Sequence, residues 1–284
     1  MTAVFDAAAY KATTRDQWQT AAAAWDAWGP LLRQWLGPAT ETMLDMAHVK
    51  PGDLVLDIAA GAGDQTLQAA ERVSPGGSVL ATDIAPAILD YCAANAKKAG
   101  LTNVETKVAD GEDLALSPGS FDTVISRVGL IYFPDQQKAL AGMHRVLRPG
   151  GWMGAIVYAT AEENRFFSIP VSIIRRRAAL PPPLPGQPGP FSLGQPGRIE
   201  RAFEQAGFRN VSAVKLPANL VMRSAKECVR FERESFGALH QMLSALDDTE
   251  KDLAWTEIED ALKQYETDDG FVGPCTMIVA AGQA

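Results

Sequence analysis

Cysteine and histidine are scarce in this chain, with three of each among 284 residues. Cys92, Cys228 and Cys275 stand far apart, none in a Cys-x-x-Cys pair, and the histidines lie away from them. Neither a disulfide framework nor a zinc cluster is indicated, and no metal is expected. Long apolar runs are missing too. No stretch approaches the ~20 residues that span a bilayer, and Met1-Thr2-Ala3-Val4-Phe5-Asp6 lacks the basic and apolar segments of a secretory leader. The expected compartment is the reducing cytoplasm. Positive charge is in deficit: 26 Lys and Arg against 34 Asp and Glu give a net charge of −8. That field repels phosphate backbones and anionic headgroups, so neither nucleic acid nor a membrane is an expected partner. Arg175-Arg176-Arg177 is the notable basic run and reads as a solvated helix face rather than an anion site. No internal repeat appears, and the proline-rich stretch from Leu180 to Pro190 is the only low-complexity tract.

What is present is ordinary globular material, 47% apolar and 21% charged, enough for one extended domain. Trp18, Trp25, Leu32 and Trp35 recur at helical steps with Trp28 among them, and Gly29-Pro30 divides the run into two helices. From Asp53 onward short apolar runs alternate with helical stretches, the pattern of a parallel sheet wound with crossover helices. The strands are expected at 54–58, 78–83, 103–108, 121–126 and 152–158. The helices are expected at 65–73, 86–99 and 136–147, with Pro-Gly turns at 51–52, 75–77, 118–119 and 149–151. A helical stretch and the proline-rich tract then interrupt the alternation, which resumes with a helix at 198–206 and a strand at 210–216. Two or three helices between Ser224 and Tyr265 precede a last strand at 275–281. Trp255, Ile258, Leu262 and Tyr265 mark the buried stripe of the last of these helices.

The chemistry begins at Val55-Leu56-Asp57-Ile58-Ala59-Ala60-Gly61-Ala62-Gly63-Asp64, where a buried strand runs into a loop of very small residues before a helix. Small side chains let backbone approach a ligand, and Asp57 can fix the loop or accept a hydrogen bond from an ammonium group. About twenty residues beyond Gly63, Asp83 ends the second strand in Ala-Thr-Asp-Ile, where ribose hydroxyls sit in nucleotide-binding sheets. A dinucleotide-dependent oxidoreductase shares both features. It would place a third glycine near Thr66, however, for close helix-to-strand packing, and Thr66 offers none. Asp110-Gly111-Glu112 follows the third strand, and Asp110 can accept a hydrogen bond from an adenine amino group.

Taken in order, these motifs resemble the class I S-adenosylmethionine-dependent methyltransferases, within the group related to the ubiquinone and menaquinone biosynthesis C-methyltransferases. Val-Leu-Asp-Ile-Ala-Ala-Gly-Ala-Gly-Asp is similar to the methionine-binding loop and Asp83 to the ribose acid. Asp110-Gly111-Glu112 is similar to the adenine loop, Ser-Phe-Asp-Thr-Val to the fourth strand and Arg-Val-Leu-Arg-Pro-Gly-Gly to the turn before the fifth. The motifs run from about Val49 to Tyr158, and their combination is specific where each alone is weak. The resemblance implies an α/β, Rossmann-like sheet of seven strands in the order 3-2-1-4-5-7-6, with strand 7 antiparallel and helices on both faces. It implies S-adenosylmethionine as cofactor, held by Asp57, Ala59, Ala60, Gly61, Gly63, Asp83, Ile84, Asp110, Gly111, Glu112, Arg127 and Val128. The chain departs from the pattern at Ala59, where the family usually carries glycine. It also reads Ala155-Ile156-Val157-Tyr158-Ala159-Thr160 where the quinone enzymes carry a glutamate-containing stretch, which argues against quinone-ring methylation.

Residues 1–48 are expected to form an N-terminal helical lid, and 49–284 the methyltransferase domain with a cap insertion at 160–197 and a helical insertion at 224–266. A sulfonium is already a good electrophile, so alignment and water exclusion carry the chemistry, and no covalent nucleophile is required. His48, His144 and His240 read as structural or exposed. Arg127, at the carboxyl end of the fourth strand, is the best polar candidate, either orienting an acidic or carbonyl-bearing substrate or pairing with a loop carboxylate. Trp25, Trp28, Tyr132, Phe133, Tyr158, Phe166, Phe167 and Phe191 are the candidates for a pocket that takes a small, apolar or aromatic acceptor. Two other functions share these features: an NAD-dependent oxidoreductase, and a protein that binds S-adenosylmethionine without turnover.

Overall fold

Residues 5–184 and 187–284 are described by a computed structural model. The leader reading of the first four residues, and Pro185-Gly186 of the proline-rich stretch, lie outside the described residues. The main sheet comprises β1 (Leu54–Ile58), β2 (Ser78–Asp83), β3 (Val104–Val108), β4 (Phe121–Arg127), β5 (Leu147–Tyr158), β6 (Arg209–Pro217) and β10 (Thr276–Gln283). Its order is β3-β2-β1-β4-β5-β10-β6. β10 runs antiparallel to both β5 and β6, and the pairs from β3 to β5 are parallel. This is the expected order, with the last strand in the antiparallel place.

β1 shows why the central strands read as unbroken apolar runs. Helices cover both faces, so Val55, Leu56 and Ile58 are all buried, and the polar exception, Asp57, is buried with them. Flanking the sheet are α3 (Asp64–Arg72), α4 (Pro86–Lys98), α5 (Gln136–Val146) and α7 (Arg198–Gln205). β5 begins five residues earlier than its apolar run, because Leu147 already pairs with Phe121 before an irregularity in the ladder. Pro149-Gly150-Gly151 therefore lies inside that strand. A Cβ at Gly151 would fall 2.7 Å from the Asp122 carbonyl, so the irregular pairing requires glycine there.

α1 (Ala7–Ala27) is capped by the Asp6 carboxylate, and α2 (Gly29–Met46) starts with Pro30 in its first turn, where a missing N–H costs nothing. Trp35 of α2 is buried and donates its indole N–H to the Ala218 carbonyl at 2.6 Å. α6 (Arg165–Arg177) follows β5. Its arginines are used internally: Arg177 pairs with Glu257 at 2.6 Å and Glu250 at 3.3 Å, and Arg176 also pairs with Glu257. They tie α6 to α10 (Asp248–Leu262), which with α8 (Ala225–Ser235) and α9 (Gly237–Leu243) makes up the C-terminal helical segment. Trp255, Ile258 and Leu262 are buried as expected, whereas Tyr265, in the turn after α10, is half-buried. A second sheet, β7 (Leu220–Met222), β9 (Gly270–Gly273) and β8 (Glu266–Thr267), is not among the expected elements, because its strands are too short for a period-2 pattern. No described helix is long and apolar enough to cross a membrane. No group of three or more potential metal ligands occurs among the described residues, and all three cysteines are free and buried.

Candidate active site

The carboxyl ends of β1, β2, β4 and β5 open into one cleft, where ligands bind in open α/β sheets. It contains about 1010 Å³ of free space, solvent at its mouth included. Asp57 supports the cleft from below and does not line it. Its carboxylate accepts hydrogen bonds from the Thr66 hydroxyl at 2.5 Å and the Gln65 amide at 3.3 Å, tying the first turn of α3 to β1. Thr66 thus makes by hydrogen bond the helix-to-strand joint that a third glycine makes by close packing in dinucleotide folds.

Burial pushes the Asp57 carboxyl up to about 6, against the hydrogen bonds from Thr66 and Gln65. The group is protonated more readily folded than unfolded, where a pKa of about 3.9 applies. Its contribution to stability is therefore full below about pH 4 and is lost as pH rises through about 6. The cost at pH 7.5 is on the order of 3 kcal/mol. Replacing Asp57 by Asn should remove that dependence. Urea unfolding of both proteins at pH 4 and pH 7.5 should show the variant gaining on the wild type by about that amount. Parallel pH curves would contradict it.

The loop after β1 is held open by backbone geometry. Ala59 has φ +59°, Gly61 +59° and Gly63 +92°. Gly63 does not line the cleft. A Cβ there would lie 2.6 Å from the Cys92 sulfur of α4, so its role is to let α3 and α4 meet. Ala59 and Val128 (φ +62°) are non-glycine residues in the left-handed region, and both line the cleft. For a β-branched residue this is a strained state of the kind that clusters at functional sites. A Cβ on Gly129 would fall 2.5 Å from that of Ala59, so alanine at 59 is accommodated by glycine at 129.

Asp83 lines the cleft and is almost wholly buried. One oxygen accepts the Gly61 N–H at 3.1 Å and the other the Ala85 N–H at 3.0 Å. The carboxylate keeps acceptor capacity for a ligand hydroxyl. Burial raises its carboxyl above the ordinary value, against the Ala85, Gly61 and Ile84 N–H groups. Ile84, Ala109, Asp110 and Gly111 continue the wall, and a Cβ on Gly111 would strike the Phe133 ring at 2.5 Å. Lys11 of α1 bridges Asp110 at 2.6 Å and Glu112 at 2.7 Å. Glu112 does not line the cleft. It accepts the Asp135 N–H at 2.9 Å and holds the loop in place.

Arg127 is buried at the cleft wall, and the carboxylate-pairing alternative is the one realised. It donates to Asp64 at 2.6 Å and to the Thr40 hydroxyl at 3.1 Å. None of the three histidines lines the cleft. His48 packs on Trp152, His144 on Phe208, and His240 on Trp255.

Six aromatic side chains line the cleft, Trp18, Trp25, Tyr132, Phe133, Tyr158 and Phe236: Trp25 sits over Gly61 and Phe133 against Gly111, whereas Trp18 packs on Tyr132, and Tyr158 and Phe236 both pack on Phe167. Four of these were expected. Trp18 and Phe236 were not, and Lys11 and Thr14 of α1 and Leu36 of α2 also join the lining. Trp28, Phe166, Phe167 and Phe191 do not. Trp28 turns away to donate to Glu234 at 2.8 Å and lies under Arg230. Phe166 and Phe167 are fully buried behind Tyr158, and Phe191 packs against Tyr158 and Phe167. Phe166 and Phe167 back the pocket because α6 directs their rings into the core, behind Tyr158 and Phe236.

Known proteins share this architecture. A family described as "Methyltransferase domain" matches residues 55–151. Nocamycin O-methyltransferase of Saccharothrix syringae is 32% identical over 201 residues, covering 68% of this chain and 72% of that protein. The chain belongs to the class I S-adenosylmethionine-dependent methyltransferases. A ubiquinone/menaquinone biosynthesis C-methyltransferase of Teredinibacter turnerae is 38% identical over 122 residues, and this methyltransferase spans 49% of its length. Among solved structures, an S-adenosylmethionine-dependent methyltransferase from Aquifex aeolicus matches 99% of the chain, and all of its own, at TM-score 0.53 and 17% identity. Haemonchus contortus phosphoethanolamine N-methyltransferase 2, solved with S-adenosyl-L-methionine, matches 91% of the chain and 57% of its own at TM-score 0.55 and 21% identity. At such identities these two support the fold alone. The cofactor of this methyltransferase is S-adenosylmethionine, and the sequence relatives replace the dinucleotide and non-catalytic alternatives.

Proposed function

We propose that this methyltransferase modifies a small, largely apolar or aromatic molecule. The observation that carries the reading is a lining that joins a polar end, two carboxylates and the small-residue loop with Trp25 and Phe133 against it, to an aromatic end of Trp18, Tyr132, Tyr158 and Phe236. The polar end fits the cofactor. Asp83 keeps free lone pairs for the ribose diol, Asp110 and Gly111 suit the adenine edge beside Ile84 and Phe133, and the backbone of Ala59–Gly61 suits the methionine portion. Asp57, Gly63 and Glu112 act from behind, by fixing the loops. Bound there, S-adenosylmethionine supplies an electrophilic methyl group. The protein's share is to align the acceptor and to exclude water, and alignment alone is worth up to ~7–11 kcal/mol.

Residues 1–48 act as the lid in this reading, because α1 contributes Lys11, Thr14, Trp18 and Trp25 to the cleft. The segments 160–197 and 224–266 act as caps, the first through the layer behind Tyr158 and the second through Phe236. A panel of phenols, amines and carbon acids, scored for methylated product, tests the acceptor class. Trp18→Ala should raise the acceptor KM by about tenfold, one lost aromatic contact. Cofactor affinity, read by calorimetry, should stay within a factor of about three. Equal loss of both would contradict the aromatic end as acceptor site.

A further inference from the structure

Helix α1 borders two spaces. Lys11, Thr14, Trp18 and Trp25 face the cleft. Thr13, Asp16 and Gln17, on another side of the helix, face a surface groove whose opposite wall includes Arg233 and Glu234 of α8 and Gln241 of α9. The groove holds about 1110 Å³ of free space, solvent at its mouth included. The two spaces share a seam. Trp18, Tyr132 and Phe236 of the cleft and Gln17 and Gly237 of the groove together line a narrow cavity between them. The seam is thin because residue 237 is glycine: a Cβ there would fall 2.8 Å from the Gln17 Cβ, so α9 starts directly against α1.

The chemistry changes across that seam. At the aromatic end of the cleft the polar side-chain groups are the Tyr132 and Tyr158 hydroxyls and the Trp18 indole N–H, so a polar substituent of an acceptor has few partners there. The groove supplies them. It presents the Thr13 hydroxyl, the Asp16 carboxylate and the Gln17 and Gln241 amides, none of which hydrogen-bonds to another side chain among the described residues. Its other charges are shared elsewhere: Arg233 lies 3.4 Å from Asp252, and Glu234 lies 3.8 Å from Arg230. The His240 ring nitrogen is held 2.5 Å from the Arg233 carbonyl. Asp16 remains as the charge with no ion pair among the described residues, which disfavours an anionic group. A carboxylate accepts from two hydroxyls and each amide both donates and accepts, the complement of a diol. An ammonium group would leave the amide donors unused.

We propose that the groove is a second acceptor subsite, which holds a neutral, hydroxyl-rich portion of the acceptor, such as a glycosyl group, while the ring that carries the methylated atom lies in the cleft. The inference rests on the aromatic-acceptor reading above. The narrow seam suits a slim link between the two portions, such as an ether or glycosidic oxygen. Trp18 walls it, with its ring edge-on to Tyr132 at 5.8 Å and to Trp25 at 5.1 Å between centroids. An acceptor held on both sides of the seam has less freedom to turn in the cleft, so the groove contributes to alignment with the methyl group as well as to affinity.

The test measures calorimetric affinities on the whole protein with saturating S-adenosylhomocysteine. The probes are hydroquinone, a naphthalenediol and a flavonol, each beside its mono-O-glucoside, its O-phosphate and its O-aminoethyl ether. In at least one set the glucoside should bind about tenfold more tightly than the parent, the worth of one or two added hydrogen bonds. Asp16 and Gln241 are exposed, and they line the groove and not the cleft. Asp16→Ala and Gln241→Ala should each cut the gain by about threefold or more. The affinity for the parent compound should stay at the wild-type value in both. Glucosides that bind no more tightly than their parents in all three sets, or a gain that survives both substitutions, would overturn the proposal. A gain for the phosphates or the aminoethyl ethers in place of the glucosides would overturn the hydroxyl-rich class. Parent compounds that bind without any gain from the glucosyl group would leave the aromatic-acceptor reading standing. Failure of every probe to bind would overturn that reading and the proposal with it.

Discussion

Replacing Asp83 by Ala should weaken S-adenosylmethionine binding by about 100-fold or more, measured by calorimetric titration. Two charge-assisted hydrogen bonds to a ribose diol are worth ~1.5–3 kcal/mol each, and 1.4 kcal/mol is a factor of ten. The side chain also accepts the N–H groups of Gly61 and Ala85, so its loss frees the loop that carries the methionine end of the site. Two effects then act in the same direction. The fold should tolerate the change, since removing a carboxyl whose burial opposes ionisation offsets part of what the lost hydrogen bonds contributed. Asp83→Asn should retain part of the loop geometry and lose less affinity. Full-strength binding by Asp83→Ala would remove Asp83 from the cofactor site.

The second large effect is on stability. Phe167→Ala should destabilise the protein by about 3–5 kcal/mol, the usual range for a buried phenylalanine. Its ring lies 4.9 Å from Phe236, 5.9 Å from Phe166, 6.0 Å from Tyr158 and 6.1 Å from Phe191. Removal leaves a void in the layer on which the aromatic end of the cleft rests. Chemical denaturation reads the loss directly. A loss of acceptor binding with stability intact would return Phe167 to the pocket, where the sequence had suggested it.

The contrast between Phe167 and Asp83 shows what local pattern conveys. Asp83 was legible because strand end, small-residue loop and spacing follow one another along the chain, and parallel pairing puts neighbouring strand ends side by side. The sheet order was legible for the same reason. Phe166 and Phe167 were placed in the pocket by proximity in sequence to Tyr158. Their own period gave the correct signal: Phe166, Ile169, Ile173 and Phe167, Pro170, Ile174 form the buried stripe of α6. Lys11 could not have been found. Its partners, Asp110 and Glu112, lie 99 and 101 residues away, and a lone lysine on an alanine-rich helix carries no local mark. Phe236 lies between α8 and α9, whose packing depends on α1, so its place in the cleft appears only when the whole chain is folded. Arg127 was correctly placed at a strand tip, yet which of two partners it takes is decided by Asp64 and Thr40, far apart in sequence.

The most direct measurement is calorimetric titration of the whole protein with S-adenosylmethionine and, in parallel, with NADH. The expected result is saturable one-site binding of S-adenosylmethionine, lost in Asp83→Ala, and no heat of binding from NADH. Binding of NADH in its place would contradict the assignment and give Asp83 to a dinucleotide.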